Sequence, residues 1–242
     1  MLKQGYLLIA DISGYTEFIK LHNMREKPVV GKPLASFFES HAEIVISDLL
    51  ESVIDAIEPD MQLNKLEGDA AFFFCEERND VAHADKIFSA MERAIKSFNK
   101  KASELVFVQA CGCEPCSQSK NLRLKIVAHR GEFTIKKIRQ FEEIAGEAVI
   151  LVHRMLKNNI KSREYWLVTD SFYHDLSTYN AAHFTKVIEN IDSFGKIPLH
   201  CREFNSEDPF NPEIEAKSRV ANWFKQAGYF SKSTARRFLK SI

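Results

Sequence analysis

The apolar run Tyr6–Ala10, which ends in the acid Asp11, constrains the fold more than any other stretch. Consecutive apolar residues of this kind indicate a buried strand. The small residues Ser13 and Gly14 follow at once, and a helix-like segment covers residues 15–24. A carboxylate at a strand's end, beside free N–H groups at a helix start, suits a divalent cation that holds a phosphate chain. The alternative is an ordinary strand–helix junction in which Asp11 or Ser13 is only the N-cap.

The size and charge of the chain limit its domain organisation and the classes of partner that it can bind. The chain has 242 residues, enough for one large domain or for a domain with an appendage. Lys+Arg and Asp+Glu both number 33, so we expect neither nucleic-acid nor membrane-surface binding. No apolar run approaches the roughly 20 residues of a membrane helix. The sequence enters strand-like residues without a secretory leader, so we expect a cytoplasmic protein whose five cysteines are reduced thiols.

Hydrophobic periodicity predicts alternating helices and strands along the rest of the chain. The predicted elements are a helix over 32–57, a hairpin of strands over 61–65 and 69–75, a helix over 80–102, strands over 122–129 and 132–137 joined by a turn at Gly131, a helix from Gly146 to 158, a strand over 166–169, a short helix over 170–176 and a closing hairpin over 183–191 and 198–204. This order predicts an α+β domain with helices packed on a mostly antiparallel sheet. A proline-rich linker at 208–212 separates the predicted domain 1–205 from a C-terminal helical appendage, 206–242.

A second acid follows the first predicted hairpin turn, in the segment Lys65-Leu-Glu-Gly-Asp69. If the strands that carry Asp11 and Asp69 are neighbours, the two carboxylates converge, and they cannot both stay ionised comfortably without a cation. A pair of Mg²⁺ or Mn²⁺ ions would relieve the repulsion and bind a triphosphate. The alternative is that Gly68-Asp69 is only a turn.

Four segments in order carry a family resemblance. They are Asp11-Ile-Ser-Gly-Tyr-Thr16, Lys65-Leu-Glu-Gly-Asp69, Leu124-Lys-Ile-Val-Ala-His-Arg-Gly131 and Ile144-Ala-Gly-Glu-Ala-Val-Ile-Leu-Val-His-Arg154. Together they resemble the catalytic domain of the class III adenylate and guanylate cyclases, over residues 5–204. Within that family the chain looks most like a bacterial cyclase-like branch with a Cys-x-Cys-x-x-Cys segment. The resemblance implies a ferredoxin-like βαββαβ core and a head-to-tail homodimer with active sites between subunits.

The resemblance also implies roles for individual residues. Asp11 and Asp69 match the metal-binding aspartates, and Arg154 matches the arginine that holds phosphate in the transition state. The backbone of the segment after Asp11 would lie along the phosphates: Ile12, Ser13, Gly14, Tyr15 and Thr16.

Two further positions match the base-reading pair, Lys65 and Glu143. An ammonium donates to adenine N1 and a carboxylate accepts from the adenine amino group, so the pair favours ATP. GTP stays open as a substrate, because Lys65 can also donate to guanine O6 and Glu143 can accept from guanine N–H groups.

Two departures from the family pattern leave two functions open. Ile150 stands where the ribose-orienting asparagine is expected, and Phe194 stands near the expected second phosphate lysine, with Lys196 slightly late. Losing one preorganised donor typically costs on the order of 10²–10³ in rate. His153 or Asn158 would be substitutes. The first hypothesis is an adenylate cyclase, and the second is a degenerate homologue that binds a nucleotide or a signalling partner.

The thiol-rich segment Cys111-Gly-Cys-Glu-Pro-Cys116 is a separate candidate site. Thiolates of Cys111, Cys113 and Cys116 with a fourth ligand would form a structural Zn²⁺ site. The alternatives are a reduced loop with partly buried thiols and a redox-sensing pair.

Overall fold

The apolar run Tyr6–Ala10 forms the middle of strand β1 (Leu2–Ser13), and all of its side chains are buried. The computed structural model describes residues 2–22, 32–78, 80, 82–105, 121–204, 224 and 228. Strand β3 (Ala70–Glu76) lies antiparallel beside β1, with Asp11 opposite Ala70. Both strands lie inside the sheet, as their apolar sequences predict.

The other described elements complete the α+β arrangement. The strands are β2 (Gln62–Glu67), β4 (Arg123–Ile138), β5 (Phe141–Ala145), β6 (Tyr165–Thr169), β7 (Thr185–Ile191) and β8 (Gly195–Glu203). The helices are α1 (Tyr15–His22), α2 (Lys32–Ile57), α3 (His83–Glu104), α4 (Glu147–Met155), α5 (Asp170–Tyr173) and α6 (Thr178–Ala181). The sheet order is β2-β3-β1-β4-β6-β8-β7, and β5 pairs with β4. The β4–β6 pair is parallel, whereas β1–β3, β2–β3, β4–β5, β6–β8 and β7–β8 are antiparallel, so the predicted mostly antiparallel α+β fold is confirmed.

The chain divides into two compact units. The first comprises Met1–Ile12, Ser52–Ser97 and Arg123–Asn205 and carries almost the whole sheet. The second comprises Ser13–Glu51, Phe98–Leu122 and Ser206–Ile242. Within the second unit Gly14 has a φ of 91°, and its carbonyl accepts a hydrogen bond from the Phe18 amide at 3.0 Å in the first turn of α1.

Helices cover both faces of the sheet in the first unit. On one face Ile9 and Phe72 share a buried cluster with Val152 of α4. On the other face Phe88 of α3 packs edge-to-face against Trp166 of β6, with ring centroids 5.3 Å apart. A strand that is covered on both faces has no solvent side for polar residues. This is why the runs in β1 and β3 are apolar without alternation.

The predicted turn at Gly131 is wrong, because β4 continues through this residue from Arg123 to Ile138. The glycine serves close packing instead. A Cβ at this position would lie 2.3 Å from Nε2 of His129 and 2.9 Å from Cβ of Ala148 in α4. The absent side chain therefore lets α4 approach the sheet closely.

Most other predicted elements are confirmed with shifted ends. The hairpins β2–β3 and β7–β8 form as predicted, and α2 has the predicted bounds. Strand β5 was missed, since its sequence Phe-Glu-Glu-Ile-Ala is short and two of its five residues are charged. The predicted C-terminal helices lie outside the described residues, apart from Phe224 and Gly228, so the division at residue 205 stays a prediction.

Long helices raise the question of a membrane span. Among the helices that the structure describes, none is both long and apolar enough to cross a membrane.

Gly5 provides a test of the close pairing of β1 with β3. An added Cβ would lie 2.1 Å from the Cys75 carbonyl oxygen and 3.0 Å from a ring carbon of Phe133. Because backbone cannot yield as a side-chain end can, we expect Gly5→Ala to lower the free energy of unfolding by about 3 kcal/mol. Urea denaturation measures this loss. The neighbouring control Gln4→Ala should change stability by less than about 0.5 kcal/mol, and equal losses for both variants would contradict the packing.

Candidate functional site

The structure places Asp11 and Asp69 side by side at one end of the sheet. The Ile12 amide donates a hydrogen bond to the Asp69 carbonyl at 3.1 Å, and Asp11 lies opposite Ala70, the residue after Asp69. Gly68, with a φ of 66°, makes the tight turn between β2 and β3 that puts Asp69 there. Their convergence, expected from neighbouring strands, is therefore present, while their role as metal ligands stays a prediction.

Sequence reasoning missed a third member of this cluster, Lys125 of β4. Its Nζ lies 2.8 Å from Oδ2 of Asp11, and the two side chains are only 21% and 15% exposed. Burial acts to lower the pKa of Lys125, but the charge and hydrogen bond of Asp11 outweigh it and raise the pKa. Lys125 shares a face of its strand with Val127, which is buried, so that face is covered. In the sequence this appears only as an apolar residue two positions after the lysine.

The carboxyl group of Asp69 lies in an environment that disfavours its ionised form. Burial, and secondarily the negative charge of Asp11, raise its pKa from the usual 3.8 to about 6, against the opposing influence of its own backbone hydrogen bond and the Lys125 charge. A carboxylate in this environment has more to gain from an added positive charge than an exposed one.

A second charged group is centred on Glu67, at the end of β2 that leads to Asp69. Sequence reasoning missed this group as well. Nζ of Lys65 is 2.9 Å from Oε1 of Glu67, and Nε2 of His153 on α4 lies 3.1 Å from both carboxylate oxygens of Glu67. Burial acts to raise the pKa of Glu67, but the hydrogen bonds from Lys65 and His153 outweigh it and lower the pKa. Glu67 thus holds the predicted base-reading lysine and ties it to α4.

His153 contacts acceptors through both ring nitrogens. Nδ1 lies 2.7 Å from the Val149 carbonyl oxygen, which only accepts, and Nε2 faces the Glu67 carboxylate. Each ring nitrogen of His153 therefore lies against an oxygen that accepts hydrogen bonds, which fixes the orientation of the ring. Phe72 lies edge-to-face against the ring, at 4.8 Å between centroids.

The other predicted contact residues occupy separate places in the first unit. Glu143 lies on β5 opposite Lys136 of β4, and strands β2 and β5 approach each other, so Lys65 and Glu143 are on adjoining elements. Arg154, at the end of α4, forms an ion pair with Asp192 in the turn between β7 and β8.

The positions that depart from the cyclase pattern are also placed. Ile150 is 52% exposed on α4, and Phe194 packs against the buried cluster beneath that helix. Lys196 is exposed at the start of β8. The proposed substitute Asn158 donates both Nδ2 hydrogens, to the Met155 carbonyl and the Tyr165 hydroxyl, each at 2.7 Å. It therefore ends α4 and fixes Tyr165.

Several predicted positions fall outside this cluster. The second unit contains four of the residues predicted to lie along the phosphates, namely Ser13, Gly14, Tyr15 and Thr16. Ile12 belongs to the first unit. The three thiols Cys111, Cys113 and Cys116 lie outside the described residues, so the zinc site stays a prediction. Within the described ranges no group of three or more His, Cys, Asp or Glu residues could hold a metal ion. The carboxylates of Asp11 and Asp69 nevertheless fit the hard oxygen donors that Mg²⁺ and Mn²⁺ prefer.

One cavity of about 500 Å³ lies away from the carboxylate pair. Leu2, at the other end of β1 from Asp11, lines it together with His129, Thr134, Lys136 and Phe194. Burial lowers the pKa of His129 to about 4, so this imidazole is neutral at pH 7, and its Nδ1 lies 2.9 Å from the Thr169 hydroxyl. The cavity is thus separate from the acidic cluster.

Comparison with known proteins establishes the family. A family model described as "Protein of unknown function (DUF2652)" matches residues 46–165. "Uncharacterized protein Rv2561/Rv2562" of Mycobacterium tuberculosis is 36% identical over 164 residues, which cover 67% of this chain and 75% of that protein. The chain belongs to the Rv2561/Rv2562 family. The residues that match the family model include Lys65, Asp69, Glu143 and Arg154 and exclude Asp11.

Solved structures show which fold this Rv2561/Rv2562 family member has. The adenylyl cyclase CyaB from P. aeruginosa is 12% identical, with a TM-score of 0.57 over 86% of this chain and 97% of that chain. The guanylyl cyclase Cya2 is 11% identical, with a TM-score of 0.59 over 87% and 96% of the respective chains. The guanylate cyclase domain of RhGC from Catenaria anguillulae, solved with GTP, is 13% identical, with a TM-score of 0.52 over 83% and 97%. The predicted cyclase-domain fold is therefore confirmed.

The raised pKa of Asp69 predicts how stability depends on pH. Between the ordinary value of 3.8 and the folded value of about 6, the folded protein binds a proton that the unfolded chain has released. Stability contributed by this group is therefore present at low pH and falls as pH rises through this window. Asp69→Asn removes the ionised form, so we expect its melting temperature to exceed that of the parent at pH 7.5.

The measurement is thermal unfolding in EDTA at pH 7.5 and at pH 3.5. The advantage of Asp69→Asn should largely vanish at pH 3.5, where Asp69 is protonated in the folded state and mostly protonated in the unfolded chain. Asp55→Asn, at an exposed position of α2, is the control for removing one negative charge. An advantage of the same size at both pH values, or an equal gain in the control, would contradict the assignment.

Proposed function

We propose that the protein is a nucleotidyl cyclase that converts ATP to 3′,5′-cyclic AMP and pyrophosphate. The observation that carries the proposal is the convergence of Asp11 and Asp69 at one end of a cyclase-type sheet. Burial, and secondarily the charge of Asp11, raise the pKa of Asp69, and a cation would stabilise its ionised form, so the pair suits a polyphosphate–metal complex better than a neutral ligand.

The residues divide the chemistry between them. Asp11 and Asp69 would hold two Mg²⁺ or Mn²⁺ ions, which when bound supply Lewis-acid activation of the ribose 3′-hydroxyl and charge neutralisation at the phosphates. The backbone of Ile12 to Thr16 would lie along the phosphate chain and donate its N–H groups. Arg154 would offer a bidentate fork to the phosphate that accumulates charge, and it would leave Asp192 to do so.

Base selection would fall to Lys65 and Glu143. Lys65 is held by Glu67, which His153 anchors in turn, so the ammonium is fixed on β2 before any base arrives. A fixed donor loses less freedom on binding than a mobile one. We assign ATP as the preferred substrate because Lys65 donates to N1 and Glu143 accepts from the amino group of adenine.

A homodimer would complete the site. The family resemblance places the aspartates of one subunit against the base-reading pair of the other, in a head-to-tail arrangement. Leu66 and Ile138 are 57% and 60% exposed on β2 and β4. Exposed apolar side chains on strands suit contact with a second copy.

A second function, a catalytically degenerate nucleotide-binding module, is favoured by two positions. Ile150 cannot hydrogen-bond to a ribose, and a partly buried phenylalanine that packs against the core cluster, Phe194, stands near the position where a phosphate lysine would be expected. Asn158 and His153 are engaged in other hydrogen bonds and so offer little compensation. Binding without turnover requires the same carboxylate pair.

Cyclic AMP formation tests the first function directly. Incubation of the full chain with ATP and Mn²⁺ should yield cyclic AMP and pyrophosphate, and Asp69→Ala should abolish both products. Because two donors of the family pattern are absent, we expect a rate about 10⁴–10⁶-fold below that of an intact site. The assay must therefore be sensitive to a single turnover. Product equal to that of Asp69→Ala would overturn catalysis.

Thermal protection by nucleotide separates the binding module from the enzyme. A ligand that binds only the folded protein raises the melting temperature according to its concentration relative to Kd. We expect ATP with Mg²⁺ to raise the melting temperature of the parent and to have no effect on Asp11→Ala. Protection without cyclic AMP would establish the second function, and absence of both would overturn the two functions together.

The proposed contact of Lys65 with the base of ATP leads to a further prediction. Lys65→Ala should reduce protection by ATP but leave protection by inorganic triphosphate unchanged, because only the base contact is lost. Lys137→Ala, an exposed lysine on β4, removes the same charge and is the matched control. Equal loss of ATP and triphosphate protection in Lys65→Ala would show a general charge effect and contradict base reading.

A further inference from the structure

Lys125 is the one lysine of the first unit's described residues that forms an ion pair with a residue of the carboxylate pair. Strand β4 lies beside β1 in the sheet, which brings Nζ to 2.8 Å from Oδ2 of Asp11. The lysine side chain is 21% exposed and the aspartate side chain 15%. Partial burial weakens screening by water and salt, so this contact is stronger than an exposed ion pair.

Charge balance at the pair is incomplete. The two carboxylates of Asp11 and Asp69 carry two negative charges when ionised, and the Lys125 ammonium supplies one positive charge. Glu67, the third carboxylate at this end of the sheet, has its own partners in Lys65 and His153. The Asp11–Asp69 pair with Lys125 therefore keeps one net negative charge, which attracts a cation.

A divalent ion and the ammonium would compete for the same oxygen. Coordination of Asp11 by Mg²⁺ or Mn²⁺ uses the carboxylate oxygens to which Lys125 now donates, at metal–oxygen distances shorter than a hydrogen bond. Two positive charges at one oxygen also repel. Metal binding at Asp11 consequently requires Lys125 to withdraw or to weaken its contact.

We propose that Lys125 is a built-in counter-cation that occupies Asp11 in the metal-free protein and sets the metal affinity of the carboxylate pair by competition. The ammonium stabilises the folded chain before metal arrives, and Asp69 is the carboxylate that receives the cation first. The inference rests on the proposed metal-binding role of Asp11 and Asp69. It concerns Lys125 as a positioning residue, which acts on the metal through a shared carboxylate.

A calorimetric titration of the 242-residue chain with MnCl₂, without nucleotide, measures the Mn²⁺ affinity and so tests the competition. Lys125→Met keeps the length of the side chain and removes the charge, so Mn²⁺ should bind at least about tenfold more tightly than to the parent. Lys125→Arg keeps the charge and should stay within about threefold of the parent. Lys137→Met removes a lysine from the exposed end of the same strand and should also stay within about threefold, since that charge is screened.

A second readout follows stability rather than affinity. In EDTA, Lys125→Met should melt at a lower temperature than the parent, because Asp11 loses its partner. Saturating Mn²⁺ should raise the melting temperature of Lys125→Met more than that of the parent. If Lys125→Met does not fold in EDTA, Lys125→Gln, which retains a hydrogen-bond donor, replaces it in both measurements.

The outcomes distinguish this inference from the proposed function. Equal or weaker Mn²⁺ affinity in Lys125→Met, together with binding by the parent that Asp69→Asn abolishes, would overturn the competition and leave the metal site standing. Absence of Mn²⁺ binding in both the parent and Lys125→Met at millimolar concentration would overturn the metal site and the competition alike. Tighter binding in Lys125→Met that Asp69→Asn removes would establish the competition at this pair.

Discussion

The covering of β1 and β3 on both faces is the constraint on which the rest of the structure depends. Because these strands have no solvent side, charged groups appear in them only where the cover ends. Asp11 and Asp69 lie at that boundary, close to an apolar interior that makes every added or missing charge costly. The same interior that gives the sheet its stability therefore confines the charged groups of β1 and β3 to the ends of these strands, with Asp11 at one end and the Lys3–Glu76 pair at the other.

The fold was largely readable from the sequence because its signals are local. Apolar runs fixed β1 and β3, and a glycine at a tight turn fixed the hairpin that carries Asp69. Gly131 misled because a glycine that admits a neighbouring helix looks the same in sequence as a glycine that turns the chain. The difference between the two depends on Ala148 in α4, a contact that strand periodicity does not encode.

Only part of the candidate site could be predicted from the sequence, because its contacts depend on which strands and helices are neighbours. The family resemblance picked out Asp11 and Asp69 as single positions, but their partners are set by strand order. Lys125 reaches Asp11 because β4 lies beside β1, and His153 reaches Glu67 because α4 lies over that face. Neither adjacency follows from spacing along the chain. The likeness to cyclase structures supports the architecture, while the proposed chemistry rests on these contacts.

The absent side chain at Gly131 has a consequence for evolution along this lineage. Helix α4 carries both His153 and Arg154, and its distance from the sheet is set where Ala148 approaches Gly131. Replacement by any larger residue would tilt or lift the helix and carry both basic groups away together. A mutation at position 131, which has no reactive side chain, would thus displace His153 and Arg154 together. The small residue at position 131 therefore helps to set where two distant basic groups lie.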